Sequence, residues 1–383
     1  MPIRTSYEDL KPTTAPAGVE GRFYYDSTEK VLKFFNGSEW VAGGVTEPEG
    51  YDGFDNNGGG TWTHYINIPV TTIPSEYAQY KIVIQSDSIE VFSADGTSQV
   101  SGSGIADFWS RVKTDGSDIR LFDQARNQLY FWMESFDYSE QSATIWVSLT
   151  AGSTELNIAY GNPSATKSAY DDPNMVFEFF DDFEQDTVGG TPLKWVVNED
   201  AGEIRVSDTY AYSGGKSLKV TDTGTQSGRH YAYVELPSSV QNGLVVEVAV
   251  KLLTNNYHRF SVDDSTIETG AKTPCPATIG FGSNSLEFNY VSDGDGWIAV
   301  ESLDTEWHVY TMVVDLNNYI KILKDGVVKV ENQPLYSTPD YWKYSQIFVS
   351  GGTFSGSEGY YDNVKIMKLA DPADFGTPQI TTF

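Results

Sequence analysis

The chain has 383 residues, with 53 Asp and Glu against 25 Lys and Arg, a formal net charge of −28 and a pI near 4.3. That balance excludes an ordinary nucleic-acid partner, because phosphate binding needs clustered Lys and Arg, and no run of ~18 apolar residues offers a membrane span. The length suits two or three domains, and 39% hydrophobic residues with 24 Tyr, 20 Phe and 35 Gly suit strands and turns more than helices.

Cys275 is the single cysteine, so no intrachain disulfide is expected; in Pro274-Cys275-Pro276 it reads as a small turn residue. The opening Met-Pro-Ile-Arg-Thr-Ser-Tyr has no apolar run of the secretory type. A surface-like composition without an export signal is what a virion protein assembled in a host cytoplasm would show.

Residues 1–46 read as an extended arm, Lys11-Pro12-Thr13-Thr14-Ala15-Pro16, followed by a small aromatic hairpin. In Gly21-Arg-Phe-Tyr-Tyr-Asp26 and Val31-Leu-Lys-Phe-Phe-Asn-Gly-Ser-Glu-Trp40-Val41, short aromatic runs flank two turns. The segment resembles a hairpin common in phage tail-fibre and virion appendage proteins. The resemblance implies attachment to other virion proteins or self-association, with a trimer the form expected by analogy with fibres. Residues 47–60, rich in Gly and Asn, read as a linker.

Residues 61–174 form the first large module. Tyr65–Val70 and Tyr80–Gln85 alternate as half-buried strands, and Ile105–Val112 suits a short helical turn. Asp115-Gly-Ser-Asp-Ile-Arg-Leu-Phe-Asp123, Leu129-Tyr-Phe-Trp-Met-Glu134, Ala143-Thr-Ile-Trp-Val147 and Leu156–Asn162 follow. These motifs resemble a domain of unknown function found in archaeal and bacterial surface proteins and some viral ones. The resemblance implies a jelly-roll-like β-sandwich with no established reaction. Asp118, Arg120, Asp123 and Glu134 look superficially like an acid/base set. Period-two alternation puts Asp118 and Arg120 on one strand face, so a structural Arg–carboxylate network accounts for them. Trp132 and Trp146 alternate with apolar neighbours and read as core.

Residues 177–369 form the second module, a series of short alternating strands with turns such as Lys324-Asp-Gly326, followed by a C-terminal tail at 370–383. Its first stretch, Phe177-Glu-Phe-Phe-Asp-Asp-Phe-Glu184, should lie beside its last, Gly359-Tyr-Tyr-Asp-Asn-Val-Lys-Ile366, with Phe179 and Phe183 on one face and Phe180, Asp182 and Glu184 on the other. These stretches, with Ser213-Gly-Gly-Lys-Ser-Leu218 and Glu306-Trp-His-Val-Tyr-Thr311, resemble a concanavalin A-like lectin/glucanase domain of the LamG-like kind. By that resemblance Asp182, Glu184 and Asp362 would share a structural calcium ion. Two inward carboxylates on adjacent strands need a cation or proton between them. The other reading is that Asp362 caps backbone N–H groups while Glu184 faces solvent.

Catalysis has less support. Retaining glucanases of this fold carry a Glu-x-Asp-x-x-Glu strand, and none occurs here. His64, His230, His258 and His308 lie in no zinc or nucleophile motif, so no catalytic residue is assigned. Sugar stacking needs exposed aromatics beside polar loops, and Trp297, Tyr257 with Arg259, and Tyr341-Trp342 meet that description. The expectation is an all-β protein with an N-terminal hairpin and two sandwiches. It would be a tail fibre, spike or capsid decoration at the virion surface, contacting host-surface glycans. The alternative is an extracellular or cell-surface carbohydrate-binding adhesin.

Overall fold

Alternating apolar residues and Gly- or Asp-bearing turns fold this chain into antiparallel sheets, so the all-β expectation holds. The computed structural model describes residues 23–26, 31–35, 40–43, 50–56, 58–199, 202–222, 229–241, 243–253, 258–263, 277–281, 287–292, 296–315, 319–334, 344–350, 356–370 and 373–383. Before residue 44 and between 287 and 299 it describes backbone alone. Phe23–Asp26, Val31–Phe35 and Trp40–Gly43 form a three-stranded sheet that pairs with no other described strand.

The first sandwich has a five-stranded sheet, in spatial order Ser98–Ser103, Ser88–Ser93, Ala78–Gln85, Ser142–Leu149 and Phe131–Asp137. Facing it is a four-stranded sheet of Gln379–Thr382, His64–Pro69, Glu155–Tyr160 and Arg120–Phe122. The helical turn expected near Ile105 is the helix Asp107–Arg111.

The second sandwich has an eight-stranded sheet. Its order is Gly202–Ser207, Ser217–Asp222, Glu358–Lys368, Gly243–Leu252, His308–Asp315, Tyr319–Lys324 and Val327–Pro334, with the short Phe179–Asp181 also on Glu358–Lys368. The opposing seven-stranded sheet is Val196–Glu199, Arg229–Glu235, Tyr344–Ser350, His258–Asp263, Ala277–Phe281, Glu287–Ser292 and Gly296–Ser302. No helix among the described residues is long and apolar enough to cross a membrane.

Strand alternation sets the layers. Along Gly243–Leu252, Leu244, Val246, Val248 and Val250 point into the core between the eight- and seven-stranded sheets. Val245 points the other way, and with Val313, Leu323 and Met367 it packs on Ala94, Trp146, Val176 and Phe177. The outer face of the eight-stranded sheet is therefore covered by the outer face of the five-stranded one, and the two sandwiches form four stacked layers. Lys321 and Asp95, 3.2 Å apart, pair across this contact.

Two segments differ from their sequence reading. Of residues 370–383, expected as a tail, 373–383 return to the first sandwich: Gln379–Thr382 pairs with His64–Asn67, Thr382 opposite His64. Of residues 47–60, expected as a linker, the described 50–56 and 58–60 supply part of that sandwich's outer layer. Tyr51 bridges to Trp62, Phe54 is 4% exposed, and both rings cluster with Phe122 and Phe383. Buried apolar area outweighs a local composition that favours open chain.

Candidate functional site

The paired stretches that open and close the second module do meet: Phe179, Phe180 and Asp181 lie opposite Ile366, Lys365 and Val364. The strand stops at Asp181. Phe183 then reaches the same core as Phe179 through a left-handed backbone (φ 58°) rather than by alternation. Lower on the same edge of Glu358–Lys368, Leu218 to Thr221 lie opposite Tyr361 to Glu358. Asp362 and Asn363 sit where one partner strand gives way to the other, and the loop 210–216 fills that seam.

Asp362 Oδ2 accepts from the N–H groups of Tyr212 (2.8 Å) and Ser213 (3.2 Å), and its Oδ1 accepts from Asn363 N (2.7 Å). Glu184 Oε1 accepts from Gly215 N and Lys216 N, both at 2.7 Å. Gly214 is needed here, since a Cβ would stand 2.4 Å from Glu184 Oε1 and its φ is +60°. Asp182 Oδ1 accepts from Glu184 N at 3.2 Å. Burial pushes the Asp362 carboxyl up to about 7 against the pull of its N–H donors, and the charge of Asp182 adds to the rise.

Calcium takes six to eight oxygen ligands. In this seam backbone N–H groups reach the inward carboxylate oxygens, and among the described residues no group of three His, Cys, Asp or Glu side chains converges as a metal site. As arranged, Glu184 and Asp362 hydrogen-bond to N–H groups of the loop and Asp182 to Glu184 N, so the three carboxylates do not converge as a set of calcium ligands.

The carboxylates singled out in the first sandwich are likewise structural, though with a different partner. Arg120, fully buried, pairs with Asp55 at 2.9 Å and donates to the carbonyls of Asp55, Ser117, Ile119 and Thr166. Asp118 accepts from Lys113, Gly161 and Asn162 N–H, and Asp123 from Ala125 and Asn127. Glu134 stands apart from them and faces the second sandwich.

That junction holds the arrangement best suited to bind something. Lys365, Glu247 and Thr311 form one row across the outer face of the eight-stranded sheet, because Glu247 lies opposite both Lys365 and Thr311. Lys365 Nζ donates to Glu247 Oε1 (2.6 Å) and to Glu134 Oε1 of the first sandwich. The ammonium lies 5.2 Å from the ring centroids of Trp132 and of Trp146. Trp146 Nε1 donates to Glu134 Oε2 at 2.8 Å. Burial alone would raise Glu247, but the ammoniums of Lys365 and Lys81 and the bonds from Lys365 and Thr311 hold it below the usual range. Lys365 is held above its usual value: burial opposes its charge, and Glu134 and Glu247 prevail.

Over this row opens a cleft of about 310 Å³, lined by Lys81 and Thr144 of the first sandwich, the Asp325-Gly326 turn of the second, and Tyr212. Tyr212 is 43% exposed, and its ring meets Trp307 edge-on at 5.8 Å. Lys81 Nζ lies 5.4 Å over Phe92 and 5.5 Å over Trp146 and, among the described residues, makes no hydrogen bond or ion pair. A larger cleft, about 410 Å³, runs beside Phe131–Asp137. Its polar side chains are already engaged: Asp115 with Ser117, Asp171 with Met133 N and Lys167, Ser168 with Asp55. The junction cleft keeps free donors and an exposed ring. Both glutamates accept from the Lys365 ammonium, whereas a glycosidase pair needs one carboxyl free to act as an acid.

Two of the sugar-stacking candidates fall among the described residues. Arg259, half-buried, is on His258–Asp263 of the seven-stranded sheet, and Trp297 is on Gly296–Ser302 of that sheet, where backbone alone is described. Tyr257, Tyr341 and Trp342 fall outside the described residues, as does Cys275. His308 bridges Asp325 (2.6 Å) and Asp304 (3.0 Å) at the rim of the sheet. A charge in the middle of an apolar strand, Glu247 in Leu244–Val250 and Lys365 in Val364–Ile366, was the sequence signal for the junction.

The family described as "Domain of unknown function (DUF2341)" matches residues 115–198, the later part of the first sandwich and the start of the second. No curated protein matches the chain. Solved structures similar to it include a sialidase, at 11% identity and TM-score 0.40 over 58% of this chain. The match spans only 21% of that sialidase. Another is the cellulose induced protein Cip1, at 14% identity and TM-score 0.37 over 51% of this chain and 100% of that one. A third is an endo-beta-1,4-glucuronan lyase from the fungus Trichoderma reesei, at 19% identity and TM-score 0.37 over 50% of this chain and 96% of that one. At such scores neither activity nor ligand carries across to this chain.

Proposed function

We propose that this chain is a non-catalytic attachment protein that binds saccharides in the cleft between its two sandwiches. The observation that carries this reading is the cleft: a hydrogen-bonding floor, an exposed aromatic ring at the rim, donors without partners, and two floor glutamates both taken up by Lys365. Saccharide sites combine an aromatic face for the sugar's C–H side with a few convergent polar groups. Display on a virion surface, as tail fibre, spike or capsid decoration, is supported by the N-terminal aromatic segment. Its three strands pair only with one another among the described residues, which leaves that sheet for self-association or for another virion protein.

A glycan microarray probed with the purified chain tests the reading. Retention of a host-surface glycan, lost in Tyr212→Ala and unaccompanied by release of reducing ends, is expected. If no glycan is retained the reading fails. Turnover that disappears in Glu247→Gln would replace binding with hydrolysis.

A further inference from the structure

The charges around the junction cleft also fix what kind of saccharide it takes; this step rests on the saccharide reading itself. Four ionic groups meet at the floor, Glu134 and Glu247 against Lys81 and Lys365. At neutral pH they sum to zero. Lys81 therefore is not surplus positive charge: with Lys365 it balances the two glutamates, and its effect on Glu247 is to hold that carboxyl ionised. At the rim Asp325 adds negative charge, its Oδ1 accepting from Val309 N at 2.9 Å. The chain as a whole carries −28.

We infer that the junction cleft selects an uncharged saccharide, a neutral hexose or N-acetylhexosamine unit, and discriminates against sialylated, uronic and sulfated glycans. An added anion meets a floor already neutral, a negative rim and a negative long-range field, and it loses its hydration on entering. An added cation loses its hydration at a floor whose two carboxylates already have their ammoniums. A neutral ring meets neither penalty, and its adjacent hydroxyls match the donors left open. The Lys81 ammonium supplies N–H groups without a partner, and Thr144 and Tyr212 supply hydroxyls that make no hydrogen bond among the described residues. Discrimination of this sort works through repulsion of the wrong ligand as much as attraction of the right one.

The test compares matched oligosaccharides sharing the core that the microarray identifies, one neutral and one bearing a terminal sialic acid or sulfate, by calorimetry at low and at physiological ionic strength. The neutral member is expected to bind at least about tenfold more tightly at low salt, a gap that narrows as salt screens the cleft. Lys81→Gln, a half-exposed position whose fold is checked by circular dichroism, is expected to weaken neutral binding severalfold. It should also let amine-bearing oligosaccharides compete, since the floor then carries net negative charge. Equal or tighter binding of the acidic member, lost in Lys81→Gln, overturns the inference and leaves saccharide binding standing. Failure of both members to bind the folded wild-type chain overturns both.

Discussion

Lys365 of the second sandwich reaches across the layer boundary to Glu134 of the first while hydrogen-bonded to Glu247 on its neighbouring strand. The ammonium is 1% exposed, so its charge is balanced only by these two carboxylates. Lys365→Met leaves Glu247 buried without its counter-ion. It is expected to cost about 3–5 kcal/mol, read from urea unfolding. The triple replacement Lys365→Met, Glu134→Gln and Glu247→Gln removes every charge together, and its cost is expected to be smaller than that of the single change. If the single change is neutral, the ion pair does not join the sandwiches.

The returning strand Gln379–Thr382 gives a second prediction. Deleting residues 379–383 unpairs His64–Asn67 and removes Phe383 from the cluster with Tyr51, Phe54, Tyr65 and Phe122. A fall in Tm on the order of 5 °C is expected by calorimetry. An unchanged Tm means that the strand adds nothing to the first sandwich.

These two relationships show what the sequence could and could not reveal. The meeting of Phe179–Asp181 with Val364–Ile366 was legible because a run of aromatics and carboxylates opens the module and a matching run closes it. Gln379-Ile-Thr-Thr382 is too short for a period to show, and its partner lies more than 300 residues earlier in the chain. Asp55 could not be matched to Arg120 for the same reason: it sits among glycines and asparagines, and only the folded layer brings the two within 2.9 Å. The cleft depends on Lys81, Glu134, Tyr212, Glu247 and Asp325, each on a different element and none in a local motif.

The seam at Asp362 yields a third prediction. Asp362→Ala leaves the N–H groups of Tyr212, Ser213 and Asn363 without their acceptor and is expected to cost about 1–3 kcal/mol. If hydrogen bonds close the seam, removing calcium with EDTA leaves the Tm unchanged. A fall of several degrees, reversed by calcium and absent in Asp182→Asn, would instead mean that the loop rearranges around an ion.

Two buried groups shape the pH response, and the first is His258, an imidazole between Ser357 Oγ (2.7 Å) and Tyr361 OH (3.2 Å). Burial, with the neighbouring His230 adding, pushes it down from 6.5 to about 3. Because the folded value is the lower one, the unfolded chain binds the extra proton. The stabilisation is complete above 6.5 and is lost as pH falls toward 3. Asp362 runs the other way. Raised from 3.8 to about 7, it contributes fully below 3.8 and loses that contribution as pH rises through 7. From about pH 4 to about pH 6.5 the two contributions oppose each other, so urea midpoints should fall with rising pH more steeply than wild type in His258→Asn and rise with pH in Asp362→Asn. Slopes identical to wild type in both variants would remove these groups from the pH response.

Thr382 opposite His64 has a mechanical consequence. Force that separates the flanking segments pulls two antiparallel neighbours apart from the same end, so their hydrogen bonds break one after another instead of together. The first event under tension is expected to be a soft peeling of Gln379–Thr382, beginning at the stacked rings of Tyr51 and Phe383. The junction cleft lies on the other side of the five-stranded sheet. A chain built this way lengthens under load before the junction between its sandwiches is disturbed.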